Sequence, residues 1–439
     1  MSGNYDTIIV GGGLTGLISA RELSRAGQNV ALLEGKDRLG GRAWTADLGG
    51  DAIELGGGYV YWSQPHIWSE ITRYGLSLIE RPYYTSTNAM RQTRFLIEGA
   101  LQAAFSTEQA AEIKAAFDAY VAPASEVFPQ PFAPFTSDAY RAYDHLSARD
   151  RIDQLELSPL ARATLLRTSG MQCNNAPEHG AYIEALRWFA LANCDPDTYA
   201  ASVSRFTLAE GTQGLLDAIA ADTTADITLG AEVTKIETTQ DGVIVRTEQG
   251  SVTARACIVA TGVNVWRRIA FSPGLSVQKS ALTAEGLSGQ GAKIYVRIRG
   301  RFEDSRWSAV GGAILSVLPH LVGDDSSVLV VFTNPAHPME EVTLQRLQAE
   351  IARFDESLEV LDFTWHDWNS DPFVRGTWGN FRPGQFAKYF ADALTPEGPV
   401  YFAGSDIALG WRGFFDGAIE SGTRTARAVL AHGGQACSL

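Results

Sequence analysis

Cysteine is scarce in this chain of 439 residues, and the four present, Cys173, Cys194, Cys257 and Cys437, stand far apart. No CxxC pair occurs and no histidine flanks a cysteine at zinc spacing, so neither a disulfide framework nor a structural zinc site is expected. The 7 histidines are scattered as well, and no metal is expected. Positive charge is in deficit: 36 Lys and Arg against 50 Asp and Glu leave a net charge of −14. A surface of that sign repels phosphate backbones and anionic membranes, which argues against nucleic acid as a partner. No run of 18 apolar residues occurs, so no membrane-spanning helix is expected. A strand expected by Tyr5 leaves no room for a leader, and a cytoplasmic location is the expectation.

Apolar and aromatic material is plentiful: 45% hydrophobic residues, with 20 Phe, 14 Tyr and 10 Trp, suffice for a large core and exclude intrinsic disorder. Glycine, at 43 residues without a collagen-like period, points to tight turns and close approaches of backbone to ligand. The length fits two or three domains, or one core with a large insertion.

The first forty residues read as a βαβ unit. Thr7-Ile8-Ile9-Val10 suits a strand buried on both faces, and a helix is expected over Leu17 to Arg25. A second strand spans Asn29 to Leu33 and stops at Glu34. From about Tyr83 to Arg205 the texture turns to amphipathic helices, one opened by the capping box Ser106-Thr107-Glu108-Gln109 and another by Ser158-Pro159. Strands return after residue 225. Ala231 to Thr238, Gly242 to Thr247 and Ser251 to Ala254 alternate like a meander, and Cys257 to Gly262 reads as a further buried strand. Lys293 to Ile298 and Ser327 to Phe332 suit a second sheet, and Val400 to Gly404 leads to a helix over about Asp416 to Leu430.

Gly11-x-Gly13-x-x-Gly16 falls between the first strand and its helix, where a dinucleotide pyrophosphate is bound. The first glycine permits the turn, the second admits the phosphate, and the third lets helix and strand pack. Glu34, 23 residues after Gly11, is placed for ribose hydroxyls. The cofactor is FAD or NAD(P) from this motif alone.

The continuation Arg38-Leu39-Gly40-Gly41-Arg42 resembles the flavin-containing amine oxidases, the monoamine oxidase group. Three further regions match it: Glu54-Leu55-Gly56-Gly57-Gly58-Tyr59, Val233 in Ala231-Glu232-Val233, and Gly404-Ser405-Asp406 followed by Trp411 and Gly417 to Gly422. The resemblance implies α/β and α+β architecture: a discontinuous Rossmann-type FAD domain plus a substrate domain with a mixed sheet and helices. It implies residues 1–82, 206–273 and 368–439 for the first and 83–205 and 274–367 for the second. It also implies roles. Gly11, Gly13, Gly16, Glu34, Gly41 and Arg42 would hold the nucleotide, with Arg42 near the pyrophosphate. Gly57, Gly58 and Tyr59 would pass the flavin ring, Val233 would meet adenine, and Trp368, Ser405, Asp406 and Ala418 would complete the cofactor site, Asp406 at the ribityl chain.

Lys293 aligns with the family lysine that holds a water near flavin N5. Trp378 and Phe414 align with the two walls of an aromatic cage, made of two tyrosines in the eukaryotic enzymes. Thr377 stands where those enzymes carry the flavin-linking cysteine, which implies FAD held without a covalent bond. Tyr61, Trp62 and Gln172 are further substrate-facing candidates.

Within the family, Tyr61 to Trp68, Arg73-Tyr74-Gly75-Leu76, Glu126 to Pro129, Trp266 to Ile269 and Ser288 to Lys293 are similar to the bacterial branch that oxidises nicotine and hydroxynicotine. That similarity implies hydride transfer from the carbon next to an amine nitrogen to flavin N5, most simply from (S)-6-hydroxynicotine. The iminium would hydrolyse to a ketone, and O2 or an electron carrier would take the electrons. A tyrosine that recognises the hydroxypyridine in some of those enzymes is not evident around Ala313 to Leu318. Other readings are an oxidase of nicotine or another cyclic or secondary amine, and an L-amino-acid oxidase using Arg375 or Arg412 for a carboxylate. A non-catalytic binding protein, like the GDP-dissociation inhibitors, is a further one. The sequence leaves open whether the protein is a monomer or a homodimer. His366 and Asp367, adjacent on an expected strand, face opposite ways and form no acid–base pair.

Overall fold

The computed structural model describes residues 4–85, 93–97, 99–102, 105–302, 304 and 306–432; Cys437 lies outside them. Two large sheets organise the chain. The first runs Ala270–Ser272, Val233–Thr239, Gly242–Thr247, Gly250–Val259, Asn4–Val10, Val30–Leu33, Asp226–Thr228, and Val400–Phe402 adds to Gly250–Val259. Its centre is parallel: Asn4–Val10 pairs with Gly250–Val259 on one side and Val30–Leu33 on the other. The strand ends at Val10, Leu33, Val259 and Phe402 therefore lie along one edge. In an open α/β sheet that carboxyl edge is where ligands bind.

Helix α1, Leu14–Arg25, follows the first strand directly. It begins at Leu14 rather than Leu17, because the glycine run itself makes the turn and leaves Gly13 as N-cap. The C-terminal helix, α3 (Phe415–His432), packs across it. Between them in sequence, α2 (Pro159–Cys173) is capped by the Ser158 side chain on the Ala161 amide. The capping box expected at Ser106 and Gln109 is present in full.

The second sheet is mixed: Val360–Trp365, Lys293–Arg299, Ser326–Thr333, Ile314–Val322, Arg306–Val310, Thr93–Ile97, Ala100–Gln102. Its core joins Ile294, Val296, Ile298, Trp307, Val317, Leu329 and Val331.

Two expectations on elements are corrected. Ser251 to Ala254 and Cys257 to Gly262 are not separate strands; Gly250–Val259 is one, ending before Ala260. Its first half pairs antiparallel with Gly242–Thr247 and alternates in exposure, whereas its last residues are flanked by parallel partners and wholly buried. The change of period in mid-strand imitates a break. The helical middle also contains strand: Thr93–Ile97 pairs parallel with Arg306–Val310 on the second sheet. Five residues carry too little periodicity to declare a strand whose partner lies two hundred residues away.

Candidate active site

A single cavity of about 520 Å³ runs from the carboxyl edge of the first sheet to the face of the second. Its first part is built from glycine. A Cβ on Gly16 would stand 1.9 Å from the Gly11 carbonyl oxygen, so this glycine serves helix packing and lies off the cavity wall. A Cβ on Gly13 would meet nothing nearer than the Gly40 oxygen at 3.9 Å, so the chain there leaves a cradle open to the cavity. No side chain caps α1, whose first-turn amides stay available at that cradle. Glu34 also lines the cavity; its carboxylate accepts from the Gly12 amide at 2.6 Å and the Lys36 amide at 2.8 Å, and burial raises its pKa. Gly11, Gly13, Gly41, Arg42 and Val233 line the same end.

Arg42 bridges the chain termini. Its Nη1 donates to the Thr377 carbonyl at 2.9 Å, and its Nη2 to Ser405 Oγ at 2.9 Å and Asp406 Oδ1 at 2.6 Å. Asp406 accepts in addition from the Val263 amide at 3.0 Å. Ser405 lines the cavity; Asp406 stands one layer behind, its carboxylate turned to Arg42 and Val263.

In the middle of the cavity the segment Gly56 to Tyr59 crosses the wall. A Cβ on Gly56 would lie 1.7 Å from the Arg42 oxygen, which explains glycine there. Glu54 anchors the segment from below, accepting from the Thr212 amide at 2.7 Å, the Thr212 hydroxyl at 2.6 Å and Thr45 at 2.8 Å. Trp368 lines the cavity and donates its indole N–H to the Leu55 carbonyl at 3.1 Å. Ala418, in the first turn of α3, closes the opposite side.

Lys293 enters from the first position of its strand. Its ammonium donates to the Gly56 carbonyl and lies 5.3 Å over the Tyr295 ring. Burial pushes its pKa down to about 8; Glu54 opposes that shift and the Arg81 charge adds to it. Behind Tyr295, the His320 ring stands edge-on at 5.0 Å, and Arg81 Nη2 lies 2.9 Å from His320 Nδ1.

Trp378 and Phe414 both line the far end. Their segments touch backbone to backbone: a Cβ on Gly413 would stand 3.2 Å from the Gly379 nitrogen. The Phe414 ring meets Trp188 at 4.9 Å and Trp411 at 5.2 Å, edge to face, and Trp378 meets Phe332 at 6.4 Å. Helix α2 supplies the next wall with Arg167, Thr168, Met171 and Gln172, one face by helical spacing. Met171, Trp188, Leu318 and Phe332 escaped the sequence reading, although Arg167, Thr168, Met171 and Gln172 recur at a spacing that names a shared face.

Tyr61 and Trp62 lie elsewhere. They stack at 4.0 Å, with Tyr61 6.0 Å from Phe206 and the Arg205 guanidinium 5.3 Å over Trp62, and neither lines the cavity. Arg375 is exposed and lies off the cavity, whereas Arg412 lines it, paired with buried Glu184 and 3.7 Å over Phe381. His366 Nε2 lies 2.8 Å from Asp371, which also holds Lys36. Among the described residues no cluster of His, Cys, Asp or Glu could hold a metal, and no helix is long and apolar enough to cross a membrane.

A glycine cradle at an uncapped helix start, an acidic residue at the next strand end, and an aromatic-walled pocket beyond a half-buried lysine define a nucleotide-dependent oxidoreductase. The family model for flavin containing amine oxidoreductase matches residues 14–430, and the chain belongs to that family. It is a flavin-dependent amine oxidase. Its curated relatives include a pseudooxynicotine dehydrogenase from Pseudomonas sp, 34% identical over 98% of this chain and 87% of the relative. They also include a nicotine dehydrogenase from Pseudomonas putida, 31% identical over 97% and 88%, and an (S)-6-hydroxynicotine oxidase from Paenarthrobacter nicotinovorans, 29% identical over 97% and 99%. These are the bacterial nicotine enzymes whose likeness the sequence carried. Putrescine oxidase, in a structure bound to putrescine, shares the fold with a TM-score of 0.85, 24% identity, 98% of this chain and 100% of that one covered.

Proposed function

We propose that this protein holds FAD without a covalent bond and oxidises the carbon beside the nitrogen of a secondary or cyclic amine of the nicotine group, with (S)-6-hydroxynicotine as the first substrate to try. The observation that carries this reading is the cavity itself, continuous from Glu34 past Gly13, Arg42 and Gly57 to an apolar end between Trp378 and Phe414. The residues fit the dinucleotide. Gly13 leaves the space a phosphate needs, the α1 amides face it, and Glu34 stands at the next strand end for ribose hydroxyls. None of Cys173, Cys194 and Cys257 lines the cavity, and Thr377, which does, has its hydroxyl engaged by Asn174 Nδ2 at 2.6 Å. That supports a cofactor held by contacts alone.

When bound, a flavin supplies the hydride acceptor of amine oxidation. The protein's own part is orientation and desolvation. Hydride leaves carbon only when the neighbouring nitrogen has its lone pair free, and an alkylammonium with a pKa near 10 costs about 4 kcal/mol to deprotonate at neutral pH. Trp378, Phe414, Phe332, Leu318 and Met171 make an apolar enclosure that disfavours the charged form. Lys293, with a pKa near 8, stands where it can take a proton or order a water for hydrolysis of the iminium. The names of the relatives, in which nicotine recurs, support the substrate class.

The test is the visible spectrum of the purified protein before and after anaerobic addition of (S)-6-hydroxynicotine, with nicotine and pseudooxynicotine as parallel additions. A band at about 450 nm that bleaches fastest with 6-hydroxynicotine supports the substrate named. Faster bleaching by either parallel amine replaces it, and a band that none of them bleaches overturns the nicotine-group reading.

A further inference from the structure

The substrate end of the cavity has an excess of hydrogen-bond donors. Arg167, half-buried on α2, lines it and makes one hydrogen bond there, from Nε to the Leu315 carbonyl at 3.3 Å. Arg306, on the strand facing α2, lines the same end as a second positive charge and has its own partner. One and a half turns along α2 from Arg167, Gln172 is 8% exposed, and its Nε2 is buried without a hydrogen-bond partner. Its backbone carbonyl accepts from Asn380 at 2.9 Å, which fixes the residue beside the Trp378 segment.

Carboxylates are scarce along the described lining. Among the described residues lining the cavity the acidic side chains are Glu34 and Glu232, both at the nucleotide end, where Glu232 pairs with Arg268 at 2.8 Å. Desolvation, with the Arg306 charge beside it, pushes the Arg167 guanidinium down to about 9, so it stays cationic at neutral pH. A partly desolvated cation and an unpaired buried amide both cost stability until an acceptor meets them. Here the space for that acceptor is the cavity. A second ammonium would be repelled from the same place.

We infer that Arg167 is a specificity determinant that selects amines bearing a carbonyl-type oxygen (ketone, ring oxo group or carboxylate) at the end remote from the reacting nitrogen. The inference deepens the amine-oxidase reading and rests on it. The reacting nitrogen sits between Trp378 and Phe414, the carbon chain passes Met171 and Gln172, and the oxygen accepts from the terminal N–H groups of Arg167. A guanidinium offers a planar pair of donors that matches such an oxygen, and a lysine offers only a point charge.

The experiment measures anaerobic flavin bleaching by three N-methylamines of equal chain length: an aryl amino ketone, its methylene analogue, and an amino carboxylate. Wild type, Arg167→Met and Arg167→Lys are compared as holoproteins. In wild type the apparent Kd for the ketone is expected at least tenfold below that for the methylene analogue, with the limiting bleaching rates closer together. Arg167→Met brings the ratio of Kd values near one, and Arg167→Lys leaves an intermediate ratio. Tighter binding of the carboxylate than of the ketone assigns the site to an anion, and the reverse order to a neutral oxygen; either supports the inference. Because variants can misfold, competition by an aryl alkanoate that carries no amine is read on wild type as well. Tight competition supports the donor site, and no competition together with a wild-type ratio near one overturns it, as does a ratio retained in Arg167→Met. If none of the amines bleaches the flavin, the nicotine-group reading fails too; if all bleach equally, only the role of Arg167 falls.

Discussion

Thr15 donates its hydroxyl to the carbonyl of Ala418 at 3.0 Å, joining residues 403 positions apart. Ser19, one turn further along α1, shares its hydroxyl proton between the Thr15 carbonyl at 2.9 Å and the Gly422 carbonyl at 3.2 Å. The two bonds between the helices lock α1 against α3 at the point where both begin. Two helix N-termini thereby face one cavity, the first at the Gly13 cradle and the second at Ala418. Partial positive charge from two directions suits an anionic nucleotide in the first part and electron-rich flavin atoms in the second.

Gly422 is the contact that permits this crossing, since a Cβ there would stand 2.7 Å from the Thr15 oxygen and 3.1 Å from Ile18. The obstacle is backbone, which cannot swing aside. Gly422→Val should cost about 1–3 kcal/mol by overpacking and weaken flavin retention. Thermal unfolding and the ratio of visible to ultraviolet absorbance of the purified variant check both; an unchanged ratio would separate the helix crossing from cofactor binding.

How much of this was legible beforehand depends on the range of the interaction. Gly11 to Gly16, Glu34 and Arg42 announce themselves because their pattern falls in one short segment, with Gly16 where a Cβ would strike the Gly11 carbonyl and Gly13 where a Cβ would occupy the open cradle. Lys293 is legible as a charge in an apolar strand pattern. The strand Thr93–Ile97 was not, because its pairing with Arg306–Val310 is a tertiary fact. Asp406 shows the limit on the site side. Its position in the C-terminal motif is clear, yet only the fold reveals that Arg42 and the Val263 amide engage its carboxylate. Tyr61 and Trp62 are aromatic residues close in sequence to the Gly56–Tyr59 segment, but Phe206 and Arg205, brought from another part of the chain, draw them into a separate stack.

Trp378→Ala removes one wall of the apolar end and opens it to water. Flavin reduction by the amine should slow by about 10–100-fold, the scale of 1.4–2.8 kcal/mol in a barrier. The loss should appear in the limiting rate of anaerobic bleaching more than in Kd, because the ring orients and desolvates the reacting nitrogen. A limiting rate equal to wild type sinks the cage.

Acid precipitation tests the attachment of the cofactor. Thr377 offers no thiol, and its hydroxyl is held by Asn174. All the flavin should pass into the supernatant, and a yellow pellet would mean a covalent link through another residue.

Lys293 makes the pH dependence a two-sided prediction. Its folded pKa, near 8, lies below the 10.5 of a free lysine, chiefly because burial disfavours the ammonium. Below about pH 8 both folded and unfolded chains carry the proton, and the fold bears the full penalty of a buried cation. Between about 8 and 10.5 the unfolded chain binds more protons than the folded one, so this residue's contribution to stability rises with pH. Lys293→Met removes the penalty. The variant should unfold at a higher temperature than wild type at pH 7, and the difference should shrink as pH approaches 10. In catalysis the neutral amine of Lys293 is the form able to accept a proton, so the wild-type rate of flavin reduction should climb through a pKa near 8. The variant should lose that limb and keep only the titration of the substrate, read by repeating the profile with amines of different basicity. Arg81 helps hold the pKa down from behind Tyr295 and His320. Arg81→Met should therefore move the limb to higher pH while Lys293 remains in place; an unmoved limb would assign the titration to another group.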